Sequence, residues 1–539
     1  MKLRSLIIGL LAVAAINVAA HFVVIRWDMT EDKRYSLSKS TKQMLHSLDE
    51  PLTITSLLSG DLNSGFQRLQ KAEQEIEQEF KVHNAQCQLQ ADEELRARLI
   101  EEMRLRPTII HEREKDGKTA QTEVYPYVVL SYKGRRAILT LLSNNRSLSG
   151  EENLNNSIAG LEYSFAEGLH QLLQDSVSKI AFLEGHGELE ERYVWDAESQ
   201  LSQYFTVERG ALGNDSAAMT ALDPYKVVII ADPQGAFSDT DKFIIDQYIM
   251  HGGRVLWLLN GVQFSTDVLT SEGYTPAIAL DLRLSDMLFR YGVRITPALV
   301  QDQQCLPVPV NVSSDPTTPN YQPLPWYYAP LLLTSYGSPI TRNCMQVSAT
   351  FASPVEAVGG EDGIRKNILL ATSTASRLIG VPAQVDLSDI NPDLTTFKYS
   401  YIPVAMSLEG QFESFFKHRI APLPAVKQDI SLPTKQVVMG SGSIIRNEWQ
   451  QNQPLPVGYD RYSGMQFGNR DVIVNAVLWL ADDEGLMDLR KKEVTLRLLN
   501  DQIAHSYRTG IQIATIGSPV AILALIALIV GVVRKKRYE

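Results

Sequence analysis

The chain has 539 residues, with 62 Asp and Glu against 51 Lys and Arg, a formal net charge of −11. An acidic balance with no basic stripe interleaved with aromatics excludes nucleic acid as the natural partner. Three cysteines, Cys87, Cys305 and Cys344, are too few for a disulfide scaffold and match neither a zinc knuckle nor a CxxC pair; a Cys305–Cys344 bridge stays open in an oxidising compartment.

In chain order, Lys2 and Arg4 precede Ser5 to Ile25, a stretch whose polar members are Ser5, Asn17 and His21. It is longer than the roughly 7 to 15 apolar residues of a cleaved signal and reads as a retained membrane span. Trp27 then sits where an interfacial aromatic anchors a helix end. Ser38 or Ser40 caps a short helix through Leu45 and Leu48, and Leu52 to Leu58 is a strand. Phe66, Leu69, Glu73, Ile76 and Phe80 recur at helical spacing, and Leu95, Leu99 and Met103 predict a second helix from Asp92. Tyr127 to Tyr132 and Ala137 to Leu142 flank Lys133-Gly134-Arg135-Arg136 as a hairpin. Leu154, Ile158, Leu161, Phe165, Leu169 and Leu172 then give a helix that closes a first, mixed α/β domain.

From Lys179 the pattern alternates strand and helix. Ile180 to Leu183, Val227 to Ala231 and Arg254 to Leu259 are apolar without alternation, as strands covered on both faces must be. Ser238 with Asp241 forms a capping box for a helix to His251, stopped by Gly252-Gly253. These units predict a parallel sheet with helices on both faces. Leu280, Leu284 and Leu288 predict a helix ending at Tyr291. Eight prolines between Pro307 and Pro339, with Trp326, Tyr327 and Tyr328, predict a long ordered excursion over a domain edge, neither helix nor central strand. The sheet resumes at Ile368 to Thr372 and Gln436 to Met439, and Asp471 to Leu480 is a packed helix.

Ile511 to Val533 is apolar apart from Gln512, Thr515, Ser518 and Pro519 and runs into Arg534-Lys535-Lys536-Arg537, a second span with a basic stop. The positive flanks place both termini in the cytoplasm and the body between the spans outside. The expected organisation is an N-terminal anchor over 1–26, a membrane-proximal mixed α/β domain over 27–176 and an α/β domain over 177–485. That domain carries the proline-rich excursion 307–339; a connector over 486–510 and a helix with basic tail over 511–539 follow.

Ligands of open α/β sheets bind beyond the carboxyl ends of strands, which makes Glu184, Gly185, His186, Gly187 and Glu188 the candidate ligand-binding loop. The alternative reading of the same residues is a tight glycine turn bearing one histidine. A lone histidine gives no metal site, and no metal or cofactor is expected. No GxSxG elbow and no GxxxxGK[ST] loop occurs, and no GxGxxG follows a strand. Gly440-Ser441-Gly442-Ser443 lacks the lysine of a phosphate loop. Neither span holds Asp, Glu, Lys or Arg, so an ion path through this chain alone is not expected.

Several stretches resemble the GldG family of gliding-motility-associated ABC transport subunits. They are Asp32-Lys33-Arg34-Tyr35-Ser36-Leu37-Ser38, Gly185-His186-Gly187-Glu188, Phe289-Arg290-Tyr291-Gly292-Val293-Arg294-Ile295 and Pro297-Ala298-Leu299-Val300-Gln301-Asp302. Pro339-Ile340-Thr341-Arg342-Asn343, Gly468-Asn469-Arg470-Asp471, Leu489-Arg490-Lys491-Lys492-Glu493-Val494 and Arg534-Lys535-Lys536-Arg537-Tyr538 continue it to the C-terminus. The resemblance implies a non-enzymatic accessory or substrate-binding subunit in a Bacteroidota-type inner membrane, with a polytopic permease and a cytoplasmic ATPase as partners. It also implies a class I amidotransferase-like, flavodoxin-like outer domain without its catalytic cysteine. A relay to the permease would use bilayer-proximal residues, and Arg34, Tyr35, Arg490, Lys491 and Lys492 are the expected partner interface. The competing functional reading is an envelope glycan- or lipid-binding protein without a transport role. An envelope hydrolase would need a spatial Ser or Cys, His and acid cluster.

Overall fold

The computed structural model describes residues 36–491 and 507–536, apart from 61, 91, 114–118, 143–148, 175–176, 214–215, 312, 314–317, 319, 360–362, 388, 390 and 425. The expected first span, and Arg34, Tyr35 and Lys492, lie outside the described residues. The chain divides into two compact units between Lys492 and Glu493.

The first unit opens with α1 (Lys39–His46), whose N-cap is Ser38: its hydroxyl accepts from the Thr41 amide. Strand β1 (Thr53–Ser56) follows, then α2 (Ser64–His83), capped by Asn63. β2 (Gln88–Gln90) and α3 (Glu93–Glu102, N-cap Asp92) lead to the hairpin of β3 (Thr108–Arg113) and β4 (Thr119–Val124). β5 (Tyr127–Tyr132) and β6 (Arg135–Thr140) are joined by Lys133 and Gly134, both at positive φ as a tight hairpin turn demands. The four-stranded sheet runs β2-β1-β5-β6. Helix α4 (Gly150–Leu173) starts from a complete capping box at Ser149 and Glu152. Leu154, Leu161, Phe165, Leu169 and Leu172 of α4 join Ile54, Val128, Leu130 and Leu139 in one core, with Phe66, Leu69 and Phe80 from α2.

The large sheet begins with β7 (Lys179–Glu184), α5 (Glu191–Leu201) and β8 (Thr206–Ala211). β9 (Tyr225–Ala231), α6 (Asp239–Met250) and β10 (Arg254–Leu258) follow, and α6 carries the capping box expected at Ser238 and Asp241. Helices α7 (Thr266–Glu272) and α8 (Ser285–Arg290) come next, and the later strands are β11 (Cys305–Asn311), β12 (Tyr321–Thr334), β13 (Arg365–Ala371), β14 (Pro403–Gly410) and β15 (Thr434–Met439). The order is β11-β12-β13-β14-β15-β10-β9-β7-β8. β8, β7, β9, β10 and β15 are mutually parallel, in the 2-1-3-4-5 order of flavodoxin-like sheets, and the pairs from β15 outward to β11 are antiparallel. Side chains alternate between two cores. Ile180, Phe182, Val227, Ile229, Leu256, Leu258, Val437 and Met439 meet α5 and α9 (Asn469–Ala481), whereas Val228, Ile230, Val255, Trp257 and Val438 meet α6. Each such fully buried aliphatic or aromatic side chain contributes about 1.5–3 kcal/mol.

Two expectations are corrected. The proline-rich segment forms strands: Pro307 stands opposite Pro325 and Pro309 opposite Pro323 in the β11–β12 hairpin. Only Leu333 and Thr334 of β12 pair with β13, so the prolines project beyond the body of the sheet, where missing N–H donors interrupt no central ladder. The aromatics pack as ordered residues do, Trp326 lying edge-on to Phe351 at 5.3 Å between centroids. The helix expected from Leu280 is only Ser285–Arg290, because Arg283 at φ +56° blocks a continuous helical run. The three cysteines are free thiols, leaving the Cys305–Cys344 bridge unmade.

The second unit contains α10 (Arg508–Lys536), with Pro519 inside it; Thr515–Val532 is long and apolar enough to cross a membrane.

Candidate functional site

The loop after β7 lies between β7 and β9, where the order of parallel strands reverses and an open α/β sheet offers its crevice. Gly185 and Gly187 stand at φ +114° and +74°, conformations that permit the sharp turn. The turn drives His186 inward, where it is 9% exposed. Its backbone N–H donates to Glu188 Oε2 at 2.7 Å and its Nδ1 to Glu188 Oε1 at 3.0 Å, while Nε2 lies 3.3 Å from Asp241 Oδ2. The ring stacks on Phe237 at 3.7 Å between centroids.

His186 therefore joins the β7 loop to the N-terminal turn of α6. Its carbonyl completes the junction, accepting from the Gln234 and Gly235 amides of the β9 loop at 2.8 and 2.6 Å. The two loops pack directly on each other, a Cβ at Gly187 falling 3.3 Å from Gln234 Cβ and one at Gly235 falling 3.2 Å from the His186 carbonyl oxygen. Burial alone would lower the His186 pKa, but the hydrogen bonds and charges of Glu188 and Asp241 outweigh it and raise the value. Glu184 turns away to Arg209, whose Nε donates to Glu184 Oε1 at 2.8 Å and whose guanidinium also pairs with Glu198. Of the five candidate residues, His186 and Glu188 meet, Gly185 and Gly187 shape the turn, and Glu184 belongs to a separate ion-pair group.

Beside this loop stands a group that strand-end reasoning missed. Asp232 ends β9 at φ +56° and accepts from Asn260 Nδ2 at 2.6 Å and Gln234 Nε2 at 3.0 Å. Burial pushes its pKa up to about 6, against the opposing charge of Arg446. Asn260 Oδ1 accepts from the Gly442 amide at 3.0 Å, and a Cβ at Gly442 would run into Asp232. The glycine-serine loop after β15 is thus a joint among strand ends. Ser443 Oγ accepts from the Thr350 amide at 2.8 Å, and Ser441 Oγ donates to the Thr350 carbonyl at 3.0 Å. Asp232 was legible only as a strand stop; Gln234 is two residues on, but Asn260 and Arg446 lie too far along the chain for spacing to disclose. Among the described residues no group of three His, Cys, Asp or Glu could hold a metal.

The motif Gly468-Asn469-Arg470-Asp471 also proves to join elements. Asn469 Oδ1 accepts from the Ser348 amide at 2.9 Å and its Nδ2 donates to the Ser348 carbonyl at 2.8 Å. Arg470 clasps buried Asp196 of α5 through Nε at 3.0 Å and Nη2 at 2.9 Å. Of the expected partner interface, Arg490 sits over the Tyr163 ring of α4, 5.4 Å from its centroid, in the 3-10 turn Leu486–Lys491. Tyr163 Oη lies 3.1 Å from Met487 Sδ, and Leu486 is buried in the N-terminal core. Half-buried Glu167, one helical turn along α4, has its pKa raised by desolvation, with the charges of His170 and Arg490 opposing.

Comparison with known proteins adds the following. The family model described as ABC-type uncharacterized transport system matches residues 178–476, and a domain of unknown function, DUF7088, matches residues 31–131. No curated protein sequence is significantly similar to the chain. Among solved structures, the mmIFT52 N-terminal domain is 15% identical with a TM-score of 0.32, covering 56% of this chain and 97% of its own. A putative ThuA-like protein from Parabacteroides merdae ATCC 43184 is 9% identical with a TM-score of 0.27, covering 60% of this chain and 94% of its own. Both likenesses are remote.

Proposed function

The chain belongs to the ABC-type uncharacterized transport system family, whose match spans more than half of it, and on that premise we propose that it is a non-catalytic, membrane-anchored accessory subunit of the gliding-motility-associated type. It is an auxiliary component of an ABC-type transport system. Its partners in this reading are a permease and a cytoplasmic ATPase, with two spans in an inner membrane and the α/β body in the periplasm. The observation that carries the reading is the family match over the large sheet, from β7 through most of α9. The apolar helix α10 supports membrane anchoring, and the 2-1-3-4-5 strand order supports the amidotransferase-like description of the sheet.

A scaffold role is favoured over ligand capture at the β7 loop because His186 is buried and its polar groups are engaged by neighbouring residues of the chain. The glycan- or lipid-binding alternative requires that loop to open, which breaks the hydrogen bonds around His186. The test is ATP hydrolysis by the purified chain, alone and with its permease and ATPase in vesicles. The expected result is no hydrolysis by the chain alone and an altered rate when it joins the assembled pair. Hydrolysis by the chain alone, or an unchanged rate on addition, counts against the proposal.

A further inference from the structure

Glu73 occupies the apolar stripe of α2 between Leu69 and Phe80, and it is buried at 0% exposure. Neither of its carboxyl oxygens has a hydrogen-bond partner among the described residues. One turn on, Glu77 is 7% exposed. The charges felt at Glu73 are those of Glu77 on its own helix and of Arg96 on α3, and β1 contributes the Ser56 hydroxyl. Arg96 is already engaged, its Nε donating to the Ser56 carbonyl at 2.8 Å.

Two other buried carboxyl groups show how many donors such a group receives elsewhere in this fold. Asp246, also at 0% exposure, accepts from Tyr291 Oη and Ser414 Oγ at 2.7 Å each, from the Phe415 amide at 2.8 Å and from Gln247 Nε2 at 2.9 Å. Asp302 accepts from the Ser373 amide at 2.6 Å and its hydroxyl at 2.5 Å, and from the Gln304 amide at 2.8 Å. Glu73 has no comparable set of donors, the Ser56 hydroxyl being the one group among the described residues that favours its charged form by hydrogen bonding, and a buried carboxylate so sparsely supplied relieves its desolvation by taking a proton.

We propose that Glu73 and Glu77 form a proton-holding carboxyl pair, so that the N-terminal module takes up a proton on folding near neutral pH and its α2–α3–β1 packing loosens as the medium turns alkaline. Burial, and for Glu73 the charge of Glu77, moves the two groups from 4.5 to about 8 and about 7 respectively. A carboxyl raised in the folded state binds more protons there than in the unfolded chain across that interval. Stability is therefore full below the unfolded value and falls as pH rises through the folded one. The site is independent of the transport reading.

The test uses the full chain in mild detergent. Thermal melting is followed between about pH 5 and about pH 9 for the wild type, Glu73→Gln and Glu73→Met, and infrared spectra are taken near pH 7 for the carbonyl band of a protonated carboxyl. The wild type is expected to melt at lower temperature on the alkaline side. Either variant is expected to lose most of that dependence, and Glu73→Gln to lose much of the protonated-carboxyl band. An unchanged pH dependence in a folded variant overturns the proposal. So does a wild-type spectrum without the band, which needs no variant to fold.

Discussion

At the scale of single residues, His186 separates two readings of the β7 loop. With Glu188 on one ring nitrogen and Asp241 near the other, the imidazole holds the segments together, and its loss removes one partner from each of two carboxylates, which keep their bonds to the residue 186 amide and to Ser238. His186→Ala is expected to cost about 2 kcal/mol of stability while leaving partner binding intact, read by melting and by recovery of the permease. The sign of its pH dependence follows from the raised native pKa. The stabilisation is complete below the ordinary histidine value of 6.5 and is lost as pH rises through the higher native one. A His186→Ala chain as stable as the wild type would instead mark the loop as a site held open for something else. Gly442 is a second case: its Cβ would strike Asp232, so Gly442→Ala should destabilise by about 1–3 kcal/mol, read as a lowered denaturation midpoint. The sequence disclosed the glycines and the histidine. Their partners were hidden because Asn260 and Gly442 meet across 182 residues of chain.

At the scale of elements, the sequence was most legible where one physical cause dominates. Strands β9 and β10 read as unbroken apolar runs because both faces are buried, and the Ser238–Asp241 box announced α6. It was least legible in β11 and β12, where proline content argued against the pairing that the hairpin makes outside the body of the sheet. The joint between α5 and α9 was also invisible, because Asp196 and Arg470 are separated by 274 residues. Removing Arg470 leaves a buried carboxylate short of its bidentate partner, so Arg470→Ala should cost about 3 kcal/mol or more in urea unfolding. The turn Leu486–Lys491 ties the return of the chain to α4, with Leu486 and Met487 buried and Arg490 over Tyr163. Arg490→Glu should therefore lower the melting temperature. Reversal of Lys491 and Lys492 together is expected to weaken permease recovery with melting unchanged. The opposite pattern would remove those two lysines from the partner interface.

At the scale of the whole molecule, the large sheet is covered on both faces and its loops are joined by hydrogen-bonded polar groups, and a separate unit holds one apolar helix among the described residues. Composition and terminal patterning led to the expectation of two spans around an outer domain, and the described residues contain one helix long and apolar enough to cross a membrane. The partners are the part that a single chain holds least information about, since an assembly surface need carry no chemistry of its own. The most direct measurement is recovery of the affinity-tagged full chain from membranes that also contain the proposed permease and ATPase partners, extracted in mild detergent. The account predicts that both partners co-elute with the tagged chain in fixed proportion and that His186→Ala leaves the proportion unchanged. Recovery of the chain free of both, from membranes shown to contain them, would contradict it.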